Sequence, residues 1–217
     1  MKIMKFLNDI RKPDNDLKLK NKIINTLLIF LFGIALGIFS KWLDILEIDS
    51  SVWWMNIVEV LDLNNFFSEM AVWLFIALAV AVFSKTALRA GLNVFLFFTG
   101  MCISYHLYTV VFGGFNPEDY MMIWYGLTII SPVFAIICWY GRSESRVSTV
   151  INSLILFFMS ASCFSLGMLY FDFRGILYTA VFIACCAVIY VKPVSFMISL
   201  VTGLVLAFMI RIPFISG

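Results

Sequence analysis

Long apolar runs recur through this chain at close to the length of a membrane crossing, with short charged links between them. They cover residues 23–39, 66–84, 91–113, 120–140, 147–170, 175–191 and 194–210. A hydrocarbon core of about 30 Å takes roughly 20 helical residues per crossing. Inside it each backbone N–H and C=O must find a partner within the protein, which leaves such a run little choice but a helix. Composition then closes off the soluble classes. Of 217 residues, 63% are apolar and 13% charged, against about half and a quarter in a soluble domain. Mean hydropathy is +1.01, and a chain this short has too little interior to hide that much apolar surface. A soluble enzyme, a nucleic-acid-binding module, a disordered tail and a disulfide-stapled secreted domain are excluded. The expected fold is an all-α polytopic transmembrane helix bundle of about seven spans. It forms a single transmembrane domain, 23–217, behind a basic amphipathic segment, 1–22.

Lys192-Pro193 divides the apolar stretch 175–210, which is too long for one crossing. Proline cannot donate within a helix interior, so the stretch is read as two short spans joined by a tight hairpin. Six spans plus a re-entrant last segment is the alternative. At the start of the chain, Ile3, Phe6, Leu7 and Ile10 fall at helical spacing with lysines opposite. That is the pattern of a short helix on the cytoplasmic lipid surface, ended by Pro13-Asp14-Asn15. The first 22 residues hold no apolar run of their own, unlike a cleavable signal peptide. In the 40–65 link, Trp53, Trp54, Ile57, Val58 and Leu61 recur at helical spacing. An outer interfacial helix near 52–62 is expected, its tryptophans at headgroup level.

Charge placement orients the bundle. With the N-terminus inside and alternating spans, the cytoplasmic side collects Lys2, Lys5, Arg11, Lys12, Lys18, Lys20, Lys22, Lys85, Arg89, Arg142, Arg146 and Lys192. Of the 15 basic residues, Lys41, Arg174 and Arg211 are left outside. Asp44, Glu47, Asp49, Glu59, Asp62, Glu118, Asp119 and Asp172 join them there. This is the positive-inside pattern, with an N-terminus inside and a C-terminus outside. The five cysteines all lie in apolar runs, without zinc or disulfide spacing, and are read as small packing residues. A bacterial cytoplasmic (inner) membrane fits these features.

Ionisable groups within the membrane are costly and are the first candidates for function. Glu69 lies one turn inside the second span and His106, the only histidine, lies in the outer half of the third. Antiparallel packing brings them to similar depth, where a carboxylate facing an imidazole can share a proton or hold a cation. Tyr105, Tyr108, Trp124 and Tyr125 surround that level and suggest an aromatic-lined ligand pocket open to the outside. Tyr120 and Tyr170 are read as aromatic-belt residues. Asp172 and Arg174 are read as a local ion pair of little value. Pro132 is expected to kink the fourth span, with Thr128 and Ser131 serving the freed backbone groups. Small-residue stripes at Gly33/Gly37, Ala77/Ala81/Ser84 and Ser153/Ser160/Cys163/Gly167 allow close helix approach. No phosphate loop, HExxH or GxSxG occurs, so no metal or cofactor is expected and enzyme chemistry is disfavoured.

These features point to a multi-pass membrane protein that binds or transports a small neutral, aromatic or weakly cationic solute. The alternative is an accessory or immunity-type subunit working through helix contacts, marked by a small-residue stripe that faces lipid. Besides the bilayer, a membrane partner subunit or an ATPase is the expected kind of partner.

Overall fold

The computed structural model describes residues 7–14, 18–49, 51–166 and 171–210. The chain is nearly all helical. The main helices are α1 (Leu19–Asp44), α2 (Trp53–Val60), α3 (Leu63–Ser68), α4 (Met70–Phe83) and α5 (Ala87–Tyr108). They are followed by α6 (Glu118–Tyr140), α7 (Arg146–Cys163), α8 (Ile176–Ile189) and α9 (Pro193–Met209). Helix α5 runs on through a π turn, Thr109–Gly113, and stops at Gly114, whose φ of 71° suits a residue without a Cβ. Four helices, α1, α5 with its π turn, α6 and α7, are long and apolar enough to cross a membrane. Helices α4, α8 and α9 are apolar but shorter. The protein is an integral membrane protein by this measure.

Glycine sets the closest helix pair. A Cβ on Gly33 would stand 2.2 Å from the carbonyl oxygen of Phe97, and one on Gly37 would stand 2.4 Å from that of Met101. A Cβ on Gly100 would meet the Phe30 carbonyl at 2.5 Å. Backbones of α1 and α5 therefore touch along three turns, an approach that only a missing side chain permits. Helix α9 packs along α7 in the same way, with Gly203 against Leu156 and Ser153. The Ser199 hydroxyl adds a bond to the Thr149 carbonyl at 3.0 Å.

Local departures from the sequence reading have local causes. The second apolar run is not one helix. Glu69 is extended (φ −91°, ψ 164°) and separates α3 from α4, with its carboxylate bonded to the distant Arg174. Asp62, in a left-handed turn with φ 50°, separates α2 from α3 and accepts from Asn65 Nδ2 at 2.9 Å. The fifth run leaves the helix at Cys163. Strand β1 (Phe164–Leu166) pairs antiparallel with β2 (Phe171–Phe173), Phe164 opposite Phe173 and Ser165 opposite Asp172. Phe-Ser-Leu and Phe-Asp-Phe alternate with period two, and aromatic residues suit a pleated surface. That alternation was hidden inside an apolar run, so the all-α expectation needs this one correction. Tyr170 and Gly167 lie outside the described residues, as do Ile3, Phe6 and Arg211.

The Lys192-Pro193 link is short, with Pro193 as the first residue of α9, where a missing N–H costs nothing. The expected tight hairpin is not a packed pair, since α9 takes α7 as its principal neighbour. Near the N-terminus only residues 7–10 are helical among those described. Arg11 turns into the bundle instead of lying on its surface. Its guanidinium donates to the carbonyls of Trp139 and Val82, the latter at 3.1 Å, and stacks 4.2 Å from the centroid of the Trp139 indole. Those carbonyls belong to the last turns of α6 and α4, which lack helical donors and carry the negative end of the dipole. Burial and the neighbouring charge of Arg142 lower the Arg11 pKa to about 10, which still leaves it charged at neutral pH.

Candidate functional site

The polar candidates are distributed among separate pairs. Glu69 bonds Arg174 Nη1 at 2.6 Å, and the same nitrogen donates to the Ser162 carbonyl at 3.2 Å. The expected Asp172–Arg174 pair is thereby replaced; Asp172 Oδ1 accepts from the Phe173 N–H at 2.8 Å instead. His106 lies between Tyr125 and Asn116. Its Nε2 stands 2.9 Å from Asn116 Oδ1 and its Nδ1 2.6 Å from the Tyr125 hydroxyl. Asn116 Nδ2 donates to Glu118 at 2.7 Å, so Oδ1 faces the imidazole as an acceptor. The neutral ring must then carry its proton on Nε2 and accept from Tyr125 at Nδ1. Glu69 and His106 consequently have different partners, and the expected carboxylate–imidazole pair is not formed.

Tyr105 belongs to a third group. Its hydroxyl donates to Asp44 Oδ2 at 3.0 Å, and Ser68 donates to Oδ1 at 3.1 Å. The buried Lys41 ammonium bonds the same carboxylate at 2.9 Å and lies 5.3 Å from the Tyr105 and Phe115 ring centroids. A buried cation survives when it is paired and caged in this way. Tyr108 packs against Phe112 with centroids 4.5 Å apart and ring planes tilted by 35°. Tyr105 and Trp124 share one gap of about 10 Å³, room for a single water at most. Of the six ligand candidates, the structure joins His106 to Tyr125 by a direct bond and sets Tyr105 and Trp124 around one small gap, while Glu69 and Tyr108 have other neighbours.

Larger spaces lie elsewhere. A surface groove of about 310 Å³ runs past Ile34 and Ile38 of α1 and Ile103, Leu107 and Tyr108 of α5. A cleft of about 280 Å³ opens among α4, α5, α6 and α7. Met70, Trp73, Leu74, Ala77 and Leu78 form its α4 wall, Val94 and Phe98 its α5 wall. Trp124, Leu127, Ile130, Ser131, Phe134, Ala135 and Cys138 form the α6 wall, and Ile155, Phe158 and Met159 the α7 wall. Trp124 is the single sequence candidate among them. Helix α6 continues through Pro132, and the Ser131 hydroxyl donates to the Thr128 carbonyl at 2.8 Å. That carbonyl is the one a residue other than proline at 132 would have bonded, so the one hydroxyl in the cleft lining is already occupied. The most exposed lining residues are Ile130 (46%), Phe134 (54%) and Phe158 (40%), which sets the opening on the flank between α6 and α7.

Sequence reasoning missed this cleft because its lining has no polar mark. Residues 70, 73/74, 77/78 on α4 and 127, 130/131, 134/135, 138 on α6 follow the same helical period as any packed face. Among the described residues no group of three or more His, Cys, Asp or Glu is placed to hold a metal. The small-residue stripes face inward, with Gly33 and Gly37 against α5, Ala77 in the cleft, and Ser153 and Ser160 buried. Comparison with protein families, curated proteins and solved structures finds no match to this chain.

Proposed function

We propose that this protein crosses the membrane with its seven apolar helices, basic end inside, and binds a small neutral aromatic or apolar molecule in the α4–α7 cleft. The observation that carries this reading is the cleft itself. It has nearly twice the volume of the roughly 150 Å³ apolar cavity that takes benzene, and no charged side chain lines it. A weakly cationic solute is disfavoured, since Glu69, Tyr105 and Tyr125 are each bonded to another side chain. The accessory-subunit alternative required a small-residue stripe facing lipid, and the inward stripes argue against it.

Iodobenzene, whose heavy atom quenches indole fluorescence on contact, tests the reading in the reconstituted 217-residue chain. Binding in the cleft gives a saturable quench carried by Trp73 and Trp124, reduced in Trp124→Phe and absent when Ala77→Phe fills the space. Linear, non-saturating quenching that is the same in all three proteins would refute it.

A further inference from the structure

The cleft runs along α6 from Trp124 to Cys138, about 21 Å at 1.5 Å per residue, more than one leaflet's share of a 30 Å hydrocarbon core. Its last α6 residue, Cys138, is one turn before Arg142, and Arg146 opens α7 across the short link. Both arginines are exposed. Nearby, Lys85 is paired with Asp14 and Lys192 with Glu144. Arg142 and Arg146 have no carboxylate partner among the described residues. The Arg142 guanidinium stands 4.8 Å from the Phe83 ring centroid, at the end of α4, and its charge helps lower the pKa of Arg11. Positive charge thus exceeds negative at the corner where the cleft ends, Arg11, Lys85, Arg142, Arg146 and Lys192 against Asp14 and Glu144 among the described residues. The cleft proper is hydrocarbon-lined, and its flank opening between Ile130, Phe134 and Phe158 lies on the apolar face of the bundle.

A ligand that satisfies both parts has a long apolar chain and an anionic head. We propose that the cleft holds one acyl chain of an anionic phospholipid, entering sideways between α6 and α7, with its phosphate against Arg142 and Arg146. This rests on the cleft being a binding site, and it commits to a bilayer lipid over a free solute. Anionic lipid meets clustered arginines at a membrane surface favourably, and a chain within the cleft replaces contacts that an empty space would forgo.

The test uses the 217-residue chain in phosphatidylcholine nanodiscs. Phosphatidylglycerol with brominated chains is titrated in, and quenching of the cleft tryptophans is read against brominated phosphatidylcholine. Two arginines predict half-quenching at about thirtyfold lower mole fraction for phosphatidylglycerol. Arg142→Gln with Arg146→Gln should abolish that preference while moving the unfolding midpoint little, since both side chains are exposed and the loss of the Arg142–Phe83 contact is offset by relief of the repulsion on Arg11. Excess glycerol phosphate should not displace the lipid. Equal quenching by the two lipids, a preference that survives in the double variant, or displacement by glycerol phosphate alone would each overturn the assignment. Should iodobenzene saturate while the lipids show no preference, the cleft stands and the lipid assignment falls. Should neither saturate, both fall.

Discussion

The α1–α5 seam and the α6–α7 seam are both built from apolar helices, yet one closes to backbone contact around Gly33, Gly37 and Gly100, and the other gapes. Helix α7 has no glycine, and Gly126, the glycine within α6, has open space beside it. In lipid, apolar side chains gain little by leaving their surroundings, so close packing decides which seams seal. Where small residues face each other the helices meet. Where Phe134, Ile130 and Phe158 come between α6 and α7 they stand apart, and the cleft is the result.

The largest expected effect comes from forcing the closed seam. Gly37→Leu drives a side chain into the Met101 carbonyl and should cost about 3 kcal/mol or more, seen as a lower midpoint of denaturant unfolding in micelles. Gly126→Leu is the matched control and should move that midpoint by less than about 0.5 kcal/mol. Equal costs would erase the distinction between the seams. Next is the tie that holds the ends of α4 and α6, which form two walls of the cleft. Arg11→Ala removes two bonds to terminal carbonyls and a stacked indole, and should cost about 2 kcal/mol; Arg11→Lys should recover only part. A smaller effect belongs to the Glu69–Arg174 pair, whose carboxylate side is 38% exposed. A double-mutant cycle with Glu69→Gln and Arg174→Gln should give a coupling of about 1 kcal/mol or less. Smallest in stability is Ala77→Phe, expected within about 1 kcal/mol of the parent, although it should remove iodobenzene quenching altogether.

Much of the fold can be read from residue order. Run lengths announce the apolar helices, four of which are long enough to cross a membrane, and Gly33-xxx-Gly37 announces a close contact without naming its partner helix. Ser131 and Thr128 draw notice beside Pro132, but which of them serves the freed carbonyl is settled only in three dimensions: the Ser131 hydroxyl bonds it, while that of Thr128 bonds the Trp124 carbonyl. The site was less legible for a physical reason. Glu69 and His106 draw notice because charge in a membrane is costly, but that same cost makes each find a partner, and Arg174 lies 105 residues from Glu69 while Asn116 sits in the link beyond the end of the His106 helix. Period two in Phe164–Leu166 and Phe171–Phe173 is too short to register against a long apolar run. The cleft leaves no sequence mark at all, because lining and packing residues share one helical period until three dimensions separate them.

Photolabelling with an apolar aryl diazirine, read residue by residue by mass spectrometry in membranes, tests the open seam most directly. Leu78 and Phe98 line the cleft yet are buried, at 5% and 6% exposure; Phe97, at 0%, belongs to the closed seam. The account predicts adducts on Leu78 and Phe98 that excess iodobenzene competes away, with none on Phe97. Adducts confined to surface residues such as Ile129 and Val133, with Leu78 and Phe98 as silent as Phe97, would contradict it.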